Sequence, residues 1–147
     1  MRFDLPLRVK VSKNKHFILN LNNYRNAHHR VLGASKRNYA DLVYNLFDEL
    51  GYRKIRYDRV KVWYRIYPQS KRLYDGNNPI SIIDKYLMDA VVNMGIIPDD
   101  NIKHVECYHW EAMSPDKSNP RVEVYIEDKS EQKSNYFEHL KRIYKGK

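Results

Sequence analysis

Asn78-Pro79-Ile80-Ser81-Ile82-Ile83-Asp84-Lys85-Tyr86-Leu87-Met88-Asp89-Ala90-Val91-Val92-Asn93-Met94-Gly95 is the stretch from which the rest of the chain is read. Ile80, Ile83, Leu87, Ala90, Val91 and Met94 recur at the three- and four-residue spacings of one helical face, which predicts a buried helix over 79–94. Asn78 is the expected N-cap, Pro79 occupies a first-turn position where its missing N–H costs nothing, and Gly95 closes the helix. Asp84 is expected to lie away from the apolar stripe, while Lys85 and Asp89, four apart, share a face.

Upstream, apolar and polar residues alternate from Tyr57 to Tyr67, the period of a half-buried strand. Val60, Val62, Tyr64 and Ile66 form one face, and Arg59, Lys61, Trp63 and Arg65 give the other a basic character. Downstream, two strands are expected at about 102–113 and 121–127, separated by the turn-rich segment Ser114–Pro120. Before residue 57, Ser35 is the expected cap of a helix running to Leu50, with Tyr39, Leu42, Val43, Leu46, Phe47 and Leu50 on one face and Gly51 as its stop. Residues 5–11 and 16–21 read as a hairpin joined by Ser12-Lys13-Asn14-Lys15. Residues 22–30 have no clean period and read as a donor-rich loop over a binding surface. Residues 130–147 read as a charged helical or flexible tail.

The 147 residues form one expected domain, 42% hydrophobic, with 27 Lys and Arg against 18 Asp and Glu, a formal charge of +9. That balance points to a polyanionic partner, nucleic acid first, with ribosomal binding or mere solubility as the alternatives. Tyrosines stand beside basic residues, as in Tyr24-Arg25 and Arg56-Tyr57. Such rings can stack on unpaired bases, although amphipathic tyrosines also border a core. One cysteine, Cys107, excludes an internal disulfide and reads as a small buried residue; neither His28-His29 nor His104/His109 has metal-motif spacing. No apolar run approaches a membrane span and no secretory leader is recognisable, so the expected location is the cytoplasm. An enzyme acting on nucleotides or RNA is disfavoured, because there is no Gly-rich phosphate loop and no RNA-binding aromatic motif.

In so basic a chain, grouped acids oppose the polyanion that the other residues attract, and a hard cation resolves the conflict. Magnesium accepts one or two carboxylates and completes its shell with water and phosphate oxygens. Asp75 lies in the loop Tyr74-Asp75-Gly76-Asn77-Asn78, where Gly76 is expected to allow a sharp turn; Asp99 and Asp100 follow the helix. The helix spans roughly 24 Å at about 1.5 Å per residue, so the two ends meet only if 96–101 folds back along it.

The order Asp75-Gly76-Asn77-Asn78, Lys85, Asp89-Ala90-Val91, Gly95 and Asp99-Asp100 resembles the RusA-like family of Holliday junction resolvases of bacteria and their phages. That family's core pattern is Asp-x-Asp-Asn, a helix with Lys and Asp-Ala-Leu, then Gly and Asp-Asp. The likeness covers about residues 16–127, with 72–101 the specific part. Asn77 stands where the family has its second aspartate, and the interval to the lysine is several residues longer; Asp84 is the proposed substitute carboxylate.

The resemblance implies an α+β fold in which a mixed, largely antiparallel sheet carries two main helices. It also implies a homodimer that nicks four-way junctions symmetrically with Mg2+, Mn2+ serving as substitute, without a membrane or nucleotide cofactor. Asp75, Asp84, Lys85, Asp99 and Asp100 are then the catalytic candidates, with Asp75, Asp84 and Asp100 as metal ligands. Asn23, Arg25, Arg30, Lys71, Arg72, Asn77 and Asn78 are the candidates for contact with DNA. The alternative is a non-catalytic protein that binds branched DNA and has lost a ligand.

Overall fold

The computed structural model describes residues 1–72, 75–132, 141–143 and 145. The element that organises them is a parallel strand–helix–strand unit. β4 (Val60–Tyr67) leads through α3 (Asn77–Asn93) to β5 (Val105–Ala112), which pairs with β4 in parallel, Tyr64 opposite Trp110. Parallel neighbours need a crossover long enough to return the chain, and here a helix provides it.

The other pairings are antiparallel. β6 (Arg121–Asp128) lies along the second edge of β4, and β1 (Arg2–Leu5) along β6, giving the order β1-β6-β4-β5. The sheet is therefore mixed and mostly antiparallel, with α3 and α2 (His29–Leu50) as the two main helices. Val60, Val62, Tyr64 and Ile66 of β4 are buried with Val122, Val124 and Ile126 of β6, and Val43, Phe47, Ile83, Leu87 and Val91 of the helices complete that core. The intervening residues of β4 and β6 carry rings and charges that engage one another. Arg121 lies 3.9 Å from the Tyr67 ring centre and Arg65 5.4 Å from that of Tyr125, while Arg65 also pairs with Glu111 at 3.2 Å.

Three N-terminal expectations are corrected. Residues 2–5 form a separate strand in the main sheet, and the hairpin is confined to β2 (Arg8–Ser12) and β3 (Lys15–Ile18). Pro6 lies between them; without an N–H it cannot continue a ladder, and the chain changes sheet there. Residues 22–30 are not a loop. Leu21–Asn26 form α1, capped by Asn20, whose side chain accepts from the Asn23 amide at 2.8 Å, and α2 already starts at His29.

Ser35, the expected cap, is instead fully buried in α2. Its hydroxyl donates to the Leu32 carbonyl at 2.7 Å and shares a hydrogen bond with the Tyr86 hydroxyl at 2.8 Å. A polar residue satisfied inside a helix interrupts the apolar period and looks from sequence like a boundary. The real N-cap is His28, accepting from the Arg30 amide.

At the other end, Gly51 holds φ +73° and the Tyr52 amide donates to the Phe47 carbonyl at 2.9 Å, the left-handed stop that glycine was expected to provide. Tyr39, Tyr64 and Tyr86 are core residues. No helix of the described residues is long and apolar enough to cross a membrane. Most of the tail expected over 130–147 lies outside the described residues, as does the side chain of Cys107; Ser130–Gln132 form a 3-10 turn.

Candidate metal and nucleic-acid site

α3 is buried on most of its circumference, between α1 and α2 on one side and the sheet on the other. Ile80, Ile82, Ile83, Tyr86, Leu87, Met88, Ala90 and Val91 are all covered. This leaves few positions for polar groups, and Asp84 occupies one on the flank facing β4. Its carboxylate is half-buried, and the buried Tyr64 hydroxyl donates a hydrogen bond to Oδ1.

Removal from water pushes the Asp84 carboxyl up to about 6 from an ordinary 3.8; the Tyr64 hydrogen bond opposes the rise, and the negative charges of Asp100 and Asp89 add to it. The expectation that Asp84 points away from the apolar surface is thus corrected. It lies at the margin of the core because Tyr64, inward on its strand, needs a polar partner for its hydroxyl.

Asp100, exposed beyond α3, is the acid whose charge acts most on Asp84. Its neighbour Asp99 is spent on its own turn. Asp99 Oδ1 accepts from the Asp100 amide at 2.8 Å and Oδ2 from the Asn101 side chain at 2.6 Å. Gly95 (φ +74°) reverses the chain here, the Ile96 amide donating to the Val91 carbonyl at 3.1 Å. That reversal turns the chain so that Asp100 acts on Asp84, while the meeting of Asp99 and Asp100 with Asp75 that the fold-back was to allow is not among the contacts of the described residues. Lys85 and Asp89 are both exposed.

Asp75 stands before the first turn of α3. Its Oδ1 accepts from the Asn77 amide at 3.1 Å and its carbonyl from the Asn78 amide at 3.0 Å. Gly76 precedes the helix with φ −60° and ψ −31°, a helical conformation open to any residue, so the sharp turn expected of it is not what requires glycine. Space is the requirement: a Cβ at Gly76 would lie 2.1 Å from the benzo end of the Trp110 ring. The same ring donates its Nε1–H to Asn77 Oδ1 at 2.7 Å.

Asn78 does not cap α3, which has no side-chain cap; its Oδ1 accepts from the Leu21 amide at 2.6 Å. That amide is one of the unpartnered first-turn groups of α1, so Asn78 satisfies a neighbouring helix in place of its own. Asn23 is half-buried and donates through Nδ2 to the Ile18 carbonyl at 2.9 Å. Asn23 and Asn78 therefore hold the scaffold. Arg25, Arg30, Lys71 and Arg72 are exposed.

Two groupings result: Asp84 with Asp100 beside β4, and Asp75, Asn77, Lys71, Arg72 and Trp110 around the start of α3. Among the described residues no three or more Asp, Glu, His or Cys side chains converge closely enough to hold an ion. A two-carboxylate set still fits magnesium by its chemistry. The donors are hard oxygens, Asp84 is ionised above about pH 6, and a cation would relieve its repulsion with Asp100. Tyr64 and Trp110 went unrecognised in the sequence. Alternation put Tyr64 inside, but nothing local names the partner of a buried hydroxyl. Comparison with known protein families and with curated proteins finds no match.

Proposed function

We propose that this chain is a magnesium-dependent endodeoxyribonuclease that acts as a homodimer on four-way junctions and related branched DNA. The observation that carries the reading is Asp84, a carboxylate held at the core margin by Tyr64 in a chain of charge +9, with a second acid, Asp100, acting on it. Burying an ionisable carboxylate against like charge costs stability, and such costs cluster at functional sites.

A bound magnesium ion would supply an activated water and neutralise charge on the phosphate. The chain's own contribution is to orient Asp84 through Tyr64, to bring Asp100 back along α3, and to meet the DNA backbone with Lys85, Lys71, Arg72, Arg25 and Arg30. A junction has approximate two-fold symmetry, and a two-fold dimer offers identical sites to its opposed strands.

A non-catalytic reading has its own supporting observation. Asn77, at the position of the family's second aspartate, is neutral and already accepts from Trp110. A synthetic four-way junction, incubated with and without Mg2+, separates the two. The nuclease reading expects paired nicks only with the metal, lost in Asp84→Asn and Asp100→Asn. Binding without nicking establishes the binder, and full cleavage by Asp84→Asn refutes the ligand assignment.

A further inference from the structure

Trp110 is 37% exposed, whereas the other large rings among the described residues are mostly covered. It is also held at both ends. Its benzo end is seated against Gly76, where any side chain would collide with it, and its Nε1–H is fixed on Asn77 Oδ1. A ring held in this way loses little conformational freedom when something stacks on it.

Beside it opens a cleft of about 390 Å3 whose walls include Pro68, Met113, Lys71 and Arg72, with no acidic side chain among its described lining residues. Clefts of roughly 300–1,000 Å3 accommodate small planar ligands. The second tryptophan differs: Trp63 already has the Lys61 ammonium 5.0 Å from its ring centre. Among the described residues no cation covers Trp110.

We infer that Trp110 is a stacking platform for one unpaired nucleobase of a DNA strand, with Lys71 and Arg72 meeting the adjacent phosphates. An aromatic surface opening on a cleft lined by two cations, with the exposed Asp75 outside that lining, is a pattern that takes single strands without reading sequence, since every base offers a π-face. This rests on the nucleic-acid reading above and gives it a substrate class, DNA with at least one base free of pairing.

The test is made in EDTA, so that binding is read apart from cleavage. In a Trp63→Phe background Trp110 is the sole tryptophan, and its emission is followed as an oligothymidylate of about twelve nucleotides or a blunt duplex is added. Saturation is checked independently by the anisotropy of a labelled strand. The single strand should quench Trp110 and the duplex should leave it unchanged. In the otherwise natural chain, Trp110→Leu should weaken binding of the single strand at least about five-fold, the lower end of a stacking contribution, and Trp110→Phe should recover most of it.

Saturated binding with unaltered Trp110 emission overturns the inference, as does natural affinity in a folded Trp110→Leu protein. The quenching experiment leaves residue 110 untouched and so decides the matter even if Trp110→Leu does not fold. Failure to bind any DNA overturns the inference together with the nucleic-acid reading. Quenching by a protein that never nicks with Mg2+ refutes only the nuclease.

Discussion

Replacing Asp84 by Asn should make the folded chain more stable at neutral pH while abolishing metal-dependent cleavage. In the native state the Asp84 carboxyl is lifted from 3.8 to about 6, chiefly by loss of water around it. At about 1.4 kcal/mol per pH unit, a difference of about 2.2 between the two values is worth about 3 kcal/mol against the ionised native state. The carboxylate keeps some contact with solvent, so about 1–2 kcal/mol is the reasonable expectation.

The sign follows from proton binding. Between about pH 4 and 6 the native chain holds a proton that the unfolded chain has released, so stability falls as pH rises through that window and then levels off. Asparagine cannot ionise, yet its amide oxygen can still accept from Tyr64. Urea unfolding followed by circular dichroism should therefore place the variant's midpoint about 0.5–1 M above the natural chain's at pH 7.5, for a slope of about 2 kcal/mol/M, and the gap should close near pH 4. Mg2+ at ten times its Kd should stabilise the natural chain by about 1.4 kcal/mol and leave Asp84→Asn unaffected. Equal stability at both pH values would refute the account of a buried, strained carboxylate.

Asp100→Asn removes a like charge from Asp84, so the Asp84 titration followed by carboxyl NMR should move toward 3.8, and an unmoved midpoint would separate the two residues. Gly76→Ala places a methyl inside the Trp110 ring and should cost about 1–3 kcal/mol by overpacking, read as a lowered thermal midpoint. Ser35→Ala deletes the buried partner of the Tyr86 hydroxyl and should cost about 1–2 kcal/mol; an unchanged midpoint would show that the pair contributes nothing. Replacing Lys71 and Arg72 by Ala should flatten the log–log salt dependence of duplex binding by about 0.9 for each phosphate no longer neutralised, and an unchanged slope removes them from the interface.

The elements with a continuous period were legible in the sequence: α3 from its apolar stripe, β4 from strict alternation, and the ends of α2 and α3 from Gly51 and Gly95. The misreadings have one cause. Ser35 looked like a boundary, Asn78 like a cap and residues 22–30 like a loop because each polar group was given a local role. In the fold Ser35 bonds to Tyr86, 51 positions away, and Asn78 to Leu21, 57 positions away. Pro6 was a legible break that a single hairpin over residues 5–21 ignored.

The acids divide in the same way. That Asp75, Asp99 and Asp100 bracket one helix and Asp84 lies on it, in a strongly basic chain, is determined by sequence alone, because it needs only composition and order. Where each of them lies relative to the core was decided by tertiary structure. Burial and the Tyr64 hydroxyl single out Asp84, the reversal at Gly95 returns Asp100 to it, and a turn consumes Asp99. Gly76 shows the same physics: its backbone angles would suit any residue, and only the ring of Trp110, brought from β5, denies it a side chain. Periodicity records how a segment meets water, whereas hydrogen-bond partners and contact distances belong to pairs of segments that the chain alone does not bring together.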